Sequence, residues 1–388
     1  MKTNGITTGN GIMIVAGEAS GDLHGAGLAR AFGRLAPGLP VCGMGGVEMA
    51  TSDVEILVDI DGLAVMGLVE VIGRLATIRA AMRTLVRRLR ERPPELLILI
   101  DYPGFNLLLA EKAKKLGVPI LYYISPKVWA WREGRIKKIK RFVDRLAVIL
   151  PFEEAYFKRH GLAVDFVGNP LLDSVRPCTS RAEFLEKQAI EPGRTVVGLL
   201  PGSRRQEIAR LLPLFIEAAE RLAPELAAPV FLLPLATTLS RADLAAHGLA
   251  ATSLDIRVCG EDRYGLMAAC DAVLAASGTV TLELAILGVP MVVSYRVALL
   301  SYLLASPFIK VQYASLVNLV ADRPVVPEFL QYDATPAALA AALKPLLLDE
   351  EAQQAMRQEL AAVCRQLGTP GAAECCARIA LEMLGRRD

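Results

Sequence analysis

The sequence predicts an α/β protein made of two doubly wound parallel sheets. Short apolar runs recur along the chain, and each is followed by a turn signal and then by an amphipathic stretch of helix length. This alternation is typical of parallel strands that helices cover on both faces. It occurs in two consecutive blocks, and 388 residues are enough for two domains of ordinary size, each with its own core.

The predicted strands fall into two sets. Those of the first block are residues 12–16, 54–58, 96–100, 119–124, 146–150 and 164–167. Those of the second block are residues 195–200, 230–233, 256–259, 272–275 and 290–294. Gly168-Asn169-Pro170 marks the seam, because a residue before proline avoids the helical region. We therefore predict one domain over residues 1–172, which a C-terminal helix at about 370–388 rejoins, and a second domain over 173–369.

Charge is unevenly divided between the two predicted domains. The net charge is +2, but residues 1–172 carry an excess of six positive charges and the rest an excess of four negative charges. Nucleic-acid binders are usually basic throughout, so this asymmetry favours an anionic ligand or surface at the first domain, with no nucleic-acid partner. No apolar run reaches the ~18 residues of a membrane-spanning helix, and no signal-peptide core is present, so a cytoplasmic chain is expected.

Cysteine and histidine do not indicate a metal centre. The seven cysteines are odd in number and lack C-x-x-C spacing, and the three histidines are far apart in the sequence. Metal sites and disulfide frameworks need closer or paired spacing, so we expect reduced thiols, no metal and no cofactor.

Polar residues follow two strands of the first domain, where open parallel sheets bind ligands. The first strand ends in a loop from Gly17 to Gly25 that contains Glu18, Asp22 and His24. Its glycine spacing is not that of the dinucleotide fingerprint, but a Gly-rich turn into a helix still offers amide donors to an anion or a sugar. A tight turn with no ligand is the alternative.

Asp101 follows the strand at residues 96–100 and is a candidate general base. The alternative is a cap of the following turn or helix. Downstream, residues 126–132 hold both tryptophans beside a basic run, which predicts either stacking on a sugar or lipid headgroup, or a basic helix anchored by two indoles.

Two strand ends of the second domain predict a nucleotide site. A Gly-Ser turn and Arg204 follow the strand at residues 195–200, which places a guanidinium and free amides where a diphosphate could bind without a metal. After the strand at 272–275, Thr279 and Glu283 share a helix face, where the carboxylate could accept both hydroxyls of a ribose. A buried capping glutamate is the alternative.

Residues 72–92 combine an apolar helical stripe with seven arginines and a single glutamate. The stripe predicts either core packing or, with the apolar residues 63–71 before it, contact with a membrane face. Residues 297–309 likewise leave open whether they form core or an acyl-chain groove.

The motifs resemble those of the lipid-A-disaccharide synthases, in order, from about residue 12 to 332. They are GEASGDLHGAGL, the D-x-P-x-F-N at residues 101–106, YYISPKVWAWREGR, FVGNPLLD, LLPGSRRQEI, SGTVTLELAILGVPMVVSYR and YASLVNLVADRPVVPEFLQ. The resemblance implies a GT-B fold, in which two Rossmann-like domains face each other across a cleft. It also implies an inverting, metal-independent glycosyltransferase of lipid A and lipopolysaccharide biosynthesis.

The implied reaction transfers 2,3-diacylglucosamine from its UDP derivative to the 6-hydroxyl of 2,3-diacylglucosamine 1-phosphate, releasing UDP. Both substrates carry acyl chains, which implies a peripheral enzyme on the cytoplasmic face of the inner membrane. The motifs do not decide whether the protein forms a homodimer. Two alternatives stay open: a UDP-sugar 2-epimerase, and a non-catalytic peripheral protein that binds lipid or nucleotide sugar.

The resemblance also implies roles for single residues. Asp101 is the base, with Glu18, Asp22 and the atypical His24 as other options, and the first domain is the acceptor-binding, membrane-facing one. The residues implied are the catalytic Asp101, Glu18 and Asn318; the UDP-binding Ser203, Arg204, Gln206, Ser277, Gly278, Thr279 and Glu283; the acceptor-loop Gly17, Ser20, Gly21, Asp22 and Asn106; and the membrane-contacting Met66, Leu68, Val69, Ile72 and Leu75.

Overall fold

The computed structural model describes residues 10–61, 75–130, 133–297 and 311–385. They divide into two compact units. The first unit runs up to Pro170 and resumes at Gly368, and the second is Leu171–Leu367.

The first unit alternates strands and helices. Its elements are β1 (Ile12–Ala16), α1 (Ala19–Leu35), β2 (Val41–Gly45), α2 (Val47–Ala50), β3 (Glu55–Asp59), α3 (Leu75–Glu91), β4 (Leu96–Ile100), α4 (Pro103–Lys115), β5 (Ile120–Tyr123), a 3₁₀ turn (Glu133–Arg135), α5 (Ile136–Phe142), β6 (Arg145–Val148), α6 (Pro151–Arg159) and β7 (Val164–Phe166).

The second unit repeats the pattern, and the last helix then returns to the first unit. The elements are α7 (Leu171–Ser174), α8 (Arg181–Lys187), β8 (Val196–Leu200), α9 (Arg205–Leu222), β9 (Val230–Pro234), α10 (Arg241–Leu244), β10 (Ile256–Cys259), α11 (Arg263–Ala269), β11 (Ala272–Ala276), α12 (Val280–Ile286), β12 (Met291–Tyr295), α13 (Leu316–Ala321), β13 (Glu328–Leu330), α14 (Pro336–Leu348), α15 (Glu350–Gln366) and α16 (Ala372–Met383).

Both sheets are parallel and doubly wound, so the predicted fold class is confirmed. The seven-stranded sheet has the order β3-β2-β1-β4-β5-β6-β7, and the six-stranded sheet has the order β10-β9-β8-β11-β12-β13. Strand order reverses between β1 and β4 in the first sheet and between β8 and β11 in the second. Ligands of doubly wound sheets bind at such reversals, beyond the carboxyl ends of the strands.

Helices cover both faces of the first sheet, as the apolar strand pattern predicts. Along β1, Met13 and Val15 belong to one core cluster, whereas Ile12, Ile14 and Ala16 belong to the other. The second cluster includes residues of α16, such as Cys376, so this helix packs on the first unit.

Two observed strands, β2 and β13, were not predicted from the sequence. β2 has the sequence VCGMG, and glycines signal a turn. A Cβ on Gly43 would lie 1.7 Å from the carbonyl oxygen of Ile14, so this position must be glycine for β2 to pair with β1. β13 has only three residues and lies at the sheet edge.

The apolar stripe of α3 is partly core. Leu85 and Leu89 are buried in the first unit, whereas Leu75 is exposed. Four arginines of α3, at residues 79, 83, 87 and 90, are exposed along one side of the helix. The other predicted membrane-contacting residues, Met66, Leu68, Val69 and Ile72, and nearly all of the range 297–309 lie outside the described residues. Within the described segments, every helix falls short of the length and apolarity needed to cross a bilayer.

Candidate functional site

Asp101 lies in a strained turn at the strand-order reversal of the first sheet. Asp101 and Tyr102 have φ values of 41° and 45°, in the left-handed region, which costs non-glycine residues roughly 1–2 kcal/mol each. The carbonyl oxygen of Asp101 accepts hydrogen bonds from Asn106 Nδ2 at 2.8 Å and from the Tyr122 hydroxyl at 2.5 Å. These bonds, and one from Asn106 Nδ2 to the Ile100 carbonyl at 3.1 Å, hold the turn in place.

Burial, together with the nearby Glu18 carboxylate, raises the pKa of Asp101 to about 6. The cations Lys127 and Arg135 act in the opposite direction and offset part of this effect. A carboxylate of this pKa is mostly ionised at neutral pH, yet it is far more basic than an ordinary aspartate. These properties suit a general base that works near pH 7.

Strand register places Glu18 beside Asp101. Ala16 pairs with Ile100 where β1 meets β4, so the residues that follow the two strands are neighbours. A Cβ on Gly17 would lie 2.1 Å from Cδ1 of the Tyr102 ring, so only glycine allows this close packing. The structure thus brings Gly17, Glu18 and Asp101 together at this edge of the sheet.

Other residues of the predicted acceptor loop have structural roles. The buried Asp22 accepts hydrogen bonds from the amides of Gly46, Glu48 and Met49 at 2.7, 3.0 and 3.1 Å. Its oxygens therefore hold the start of α2, which leaves it poorly suited to proton transfer. Gly21 allows α1 to approach β1, since a Cβ there would lie 3.2 Å from the Cβ of Ala16.

Three other candidate residues of the first unit are Ser20, His24 and Asn106. Ser20 is exposed at the start of α1. Burial lowers the pKa of His24 to about 4, so the imidazole is neutral and a weaker base than Asp101. Asn106 is completely buried beneath the Asp101 turn, where its amide group positions the turn.

The sequence did not identify Glu153, which anchors the loop after β5. The buried carboxylate accepts hydrogen bonds from Ser125 Oγ at 2.8 Å and Trp129 Nε1 at 2.9 Å, and from the Leu150 amide at 3.1 Å. Trp129 is buried, so it anchors this loop and is not a sugar-stacking platform. The same loop carries Lys127, one of the cations that act on Asp101. The second tryptophan, at position 131, lies outside the described residues.

In the second unit, the turn after β8 differs from expectation in one respect. The amides of Ser203 and Arg204, which we expected to be free for a diphosphate, donate to Glu207 Oε2 at 3.0 and 3.3 Å. The Arg204 side chain is exposed and approaches Glu207 Oε1 at 3.4 Å. A carboxylate from α9 therefore lies where the phosphate was predicted, and Gln206 is exposed beside it.

The segment after β11 lies next to this turn, because Ala275 pairs with Leu200 where β11 meets β8. Ser277 is already engaged: its amide donates to the Ser294 carbonyl at 3.0 Å, and its hydroxyl donates to the Ala314 carbonyl at 2.7 Å. Gly278 and Thr279 follow, and Thr279 is exposed just before α12.

Glu283 is buried and forms an ion pair that the sequence did not indicate. Its side chain is 6% exposed and pairs with Arg263 of α11, whose side chain is 54% exposed. The carboxylate predicted to accept ribose hydroxyls is thus held by a side chain that can move into solvent.

Asn318 is buried, and all the hydrogen-bonding capacity of its side chain is used internally. Nδ2 donates to the Val326 carbonyl at 2.9 Å and to Glu328 Oε1 at 2.8 Å. Oδ1 accepts from the amides of Val325 and Val326 at 2.8 and 2.9 Å. Since an amide side chain offers two donors and two acceptor positions, Asn318 has none left for a substrate in this arrangement. It positions the segment that precedes β13.

The described residues show no cluster of three or more histidine, cysteine, aspartate or glutamate side chains that could hold a metal ion.

Comparison with known proteins agrees with the motifs. A family model described as lipid-A-disaccharide synthetase matches residues 12–381. The lipid-A-disaccharide synthase of Geobacter sulfurreducens is 49% identical, over 98% of this chain and 99% of its own length. Among solved structures, the UDP-GlcNAc 2-epimerase of Neisseria meningitidis bound to UDP-GlcNAc has a TM-score of 0.63 at 11% identity, covering 97% of this chain and 100% of its own. MurG of Acinetobacter baumannii has a TM-score of 0.57 at 18% identity, covering 96% and 99%.

The two kinds of likeness support different conclusions. The solved structures are distant in sequence and show the fold, which glycosyltransferases and epimerases share. The family model and the curated relative extend over nearly the whole chain. On this evidence the chain belongs to the lipid-A-disaccharide synthase family.

Proposed function

We propose that this protein transfers 2,3-diacylglucosamine from its UDP derivative to the 6-hydroxyl of 2,3-diacylglucosamine 1-phosphate, which gives a β-1,6-linked disaccharide 1-phosphate and UDP. The observation that carries the proposal is the strained, half-buried Asp101, whose pKa of about 6 suits a base at the strand-order reversal. Family membership supplies the substrate class.

The first unit provides the proton acceptor. The Asp101 carboxylate takes the proton of the acceptor 6-hydroxyl as its oxygen attacks the anomeric carbon of the donor. The bond from that carbon to the UDP oxygen breaks, and its electron pair leaves with UDP, so the configuration inverts. Glu18 assists by keeping Asp101 basic, because a neighbouring negative charge favours the protonated form.

The second unit provides the donor site. Arg204, with the amides of Ser203 and the segment from Ser277 to Thr279, stabilises the negative charge that develops on the diphosphate. In this proposal, the diphosphate displaces the Glu207 carboxylate from the turn amides. The ribose hydroxyls displace Arg263 from Glu283, and the released guanidinium can then interact with the phosphates.

The arginine face of α3 supports association with a membrane. Both substrates are lipids, and each buried methylene holds them in the bilayer by ~0.8 kcal/mol. The four exposed arginines at residues 79, 83, 87 and 90 lie along one side of α3, and Leu75 is exposed at its start. Cations near an anionic bilayer contribute ~1 kcal/mol each, so this face gives the first unit a preferred orientation towards acidic lipid.

The membrane proposal is tested by vesicle sedimentation. Changing the four arginines to glutamine should reduce binding to phosphatidylglycerol vesicles by roughly a hundredfold or more, which corresponds to the loss of a few kcal/mol. Phosphatidylcholine vesicles are the control, since neutral lipid offers no charge to these residues. Equal binding of the wild type and the variant to anionic vesicles would contradict the assignment.

The catalytic proposal is tested with both lipid substrates. Purified protein should release UDP only when donor and acceptor are both present, and mass spectrometry should detect the disaccharide 1-phosphate. Asp101→Asn should reduce turnover by roughly a hundredfold or more, since acid–base catalysis typically contributes ~10²–10⁴-fold, while UDP binding remains. Near-wild-type turnover would move the role of base to Glu18 or His24.

The same assays separate the two alternatives. A UDP-sugar 2-epimerase would turn over soluble UDP-N-acetylglucosamine without an acceptor. A non-catalytic carrier would bind lipid equally well before and after the Asp101→Asn change and would form no product.

A further inference from the structure

A pocket of about 400 Å³ lies in the first unit, between the start of α4 and the start of α5. One wall consists of Pro103, Gly104, Leu107 and Leu108 of α4, and the other includes Arg135 and Lys138. None of these lining residues is one that we assign to base catalysis or to UDP binding.

The lining combines positive charge with an apolar wall. Arg135 and Lys138 are both cationic, and none of the described residues that line the pocket is acidic. The N-terminal end of the 13-residue helix α4, at Pro103 and Gly104, adds the positive end of its dipole. Leu108 is 48% exposed, so its side chain offers an apolar surface at the pocket. The pocket therefore suits an anion that is attached to an apolar group.

The pocket opens close to Asp101. Three peptide units separate Asp101 from Gly104, so their Cα atoms are at most ~11 Å apart. Arg135, which lines the pocket, also acts electrostatically on the Asp101 carboxyl and on the Tyr122 phenol, so its charge is near the turn that holds the base.

We propose that this pocket binds the phosphomonoester of the acceptor, with Arg135 and Lys138 on the phosphate and Leu108 against the adjoining acyl chain. The inference rests on the proposed function. In a hexose 1-phosphate, C1 carries the phosphate and C5 carries the 6-hydroxymethyl group, and both carbons are bonded to the ring oxygen. The phosphate site must therefore lie close to the base, within the length of one sugar. A pocket that begins three residues after the base meets this requirement.

The first test compares two neighbouring lysines of α5. Lys138 lines the pocket, whereas Lys137 is equally exposed and does not line it. Lys138→Glu should raise the KM for the acceptor at least tenfold and leave the KM for the UDP donor within twofold. Lys137→Glu carries the same change of charge and should alter neither value. Equal acceptor KM values for the two variants would overturn the proposal.

A second test measures binding without turnover. Calorimetric titration in detergent micelles compares 2,3-diacylglucosamine 1-phosphate with the same lipid lacking phosphate. The wild type should bind the phosphorylated lipid at least tenfold more tightly, and Lys138→Glu should lose that preference while Lys137→Glu keeps it. Equal affinity of the wild type for the two lipids would overturn the proposal.

The phosphate of a bilayer lipid has the same chemistry, and vesicles distinguish the two sources. Both lysine variants should bind phosphatidylglycerol vesicles alike. Selective loss of vesicle binding by Lys138→Glu, with an unchanged acceptor KM, would instead assign the pocket to bilayer phosphate and overturn the proposal. Failure of the wild type to release UDP, with the phosphate preference intact, would refute the proposed function and leave the pocket assignment standing.

Discussion

The raised pKa of Asp101 has a consequence for stability. In the folded unit the pKa is about 6, against 3.8 for an unperturbed aspartate. The folded state therefore binds this proton more tightly than the unfolded state, so the free energy of unfolding falls as the pH rises from about 4 to about 6. Above pH 6, the ionised Asp101 lowers the free energy of unfolding by up to about 3 kcal/mol, at ~1.4 kcal/mol per pH unit.

Asp101→Asn removes this penalty with little change of shape. We expect the variant to be more stable than the wild type at pH 7, by up to about 3 kcal/mol, and by only about 0.5 kcal/mol at pH 4, where folded Asp101 is already protonated. These are upper values, because Asp101 is only half-buried and solvent screens its charge. The variant should thus be stabilised and inactive at the same time.

Urea unfolding followed by tryptophan fluorescence is the suitable assay, because both tryptophans, at positions 129 and 131, belong to the chain segment of the first unit. Asp61→Asn, which removes an exposed carboxylate from the same unit, is the matched control and should change little at either pH. Destabilisation of Asp101→Asn at pH 7, or a gain that does not depend on pH, would refute the electrostatic account of this turn.

Three further predictions follow from the contacts at the two sites. The kcat/KM of the wild type should fall about tenfold from pH 7 to pH 5, as the Asp101 carboxylate becomes protonated, and Glu18→Gln should shift this fall to lower pH; an inflection near pH 4 in the wild type would contradict the raised pKa. Glu207→Ala should tighten UDP binding several-fold in calorimetry, since no side-chain oxygen then competes for the turn amides, although the loss of the helix cap should lower stability by ~1 kcal/mol; weaker UDP binding would show that Glu207 aids the donor. Trp129→Phe should lower the free energy of unfolding by ~1.5–3 kcal/mol, because Glu153 loses a donor in a buried setting, while UDP affinity is unchanged; wild-type stability in urea titration would refute the anchor.

Much of the fold was predictable because parallel strands buried on both faces leave a strong local signal. Each of the eleven predicted strands corresponds to an observed one, with ends that differ by two residues at most. The exceptions have local causes. In β2, position 43 must be glycine because the Ile14 backbone lies too close for a Cβ atom. The same glycine interrupts the apolar run by which a strand is predicted from sequence. In β13, three residues at a sheet edge are too few to show a pattern.

The partners of the site residues were not predictable, because they come from distant parts of the chain. Arg263 pairs with Glu283 across 20 positions, and Glu153 accepts from Trp129 across 24. Glu207 is closer to its partners, and its signal was available: a glutamate three residues after a helix cap is typical of a capping box.

The sequence by itself therefore determined the fold class, the family and the strand ends where polar residues collect, since apolar periodicity and motif order are properties of the chain alone. Only the tertiary structure decided which of those residues meet. Strand register joins Glu18 to Asp101, and burial by residues far away in sequence raises the pKa of that carboxyl. A pKa depends on the dielectric surroundings and charges near a group in space, and these exist only once the chain is folded.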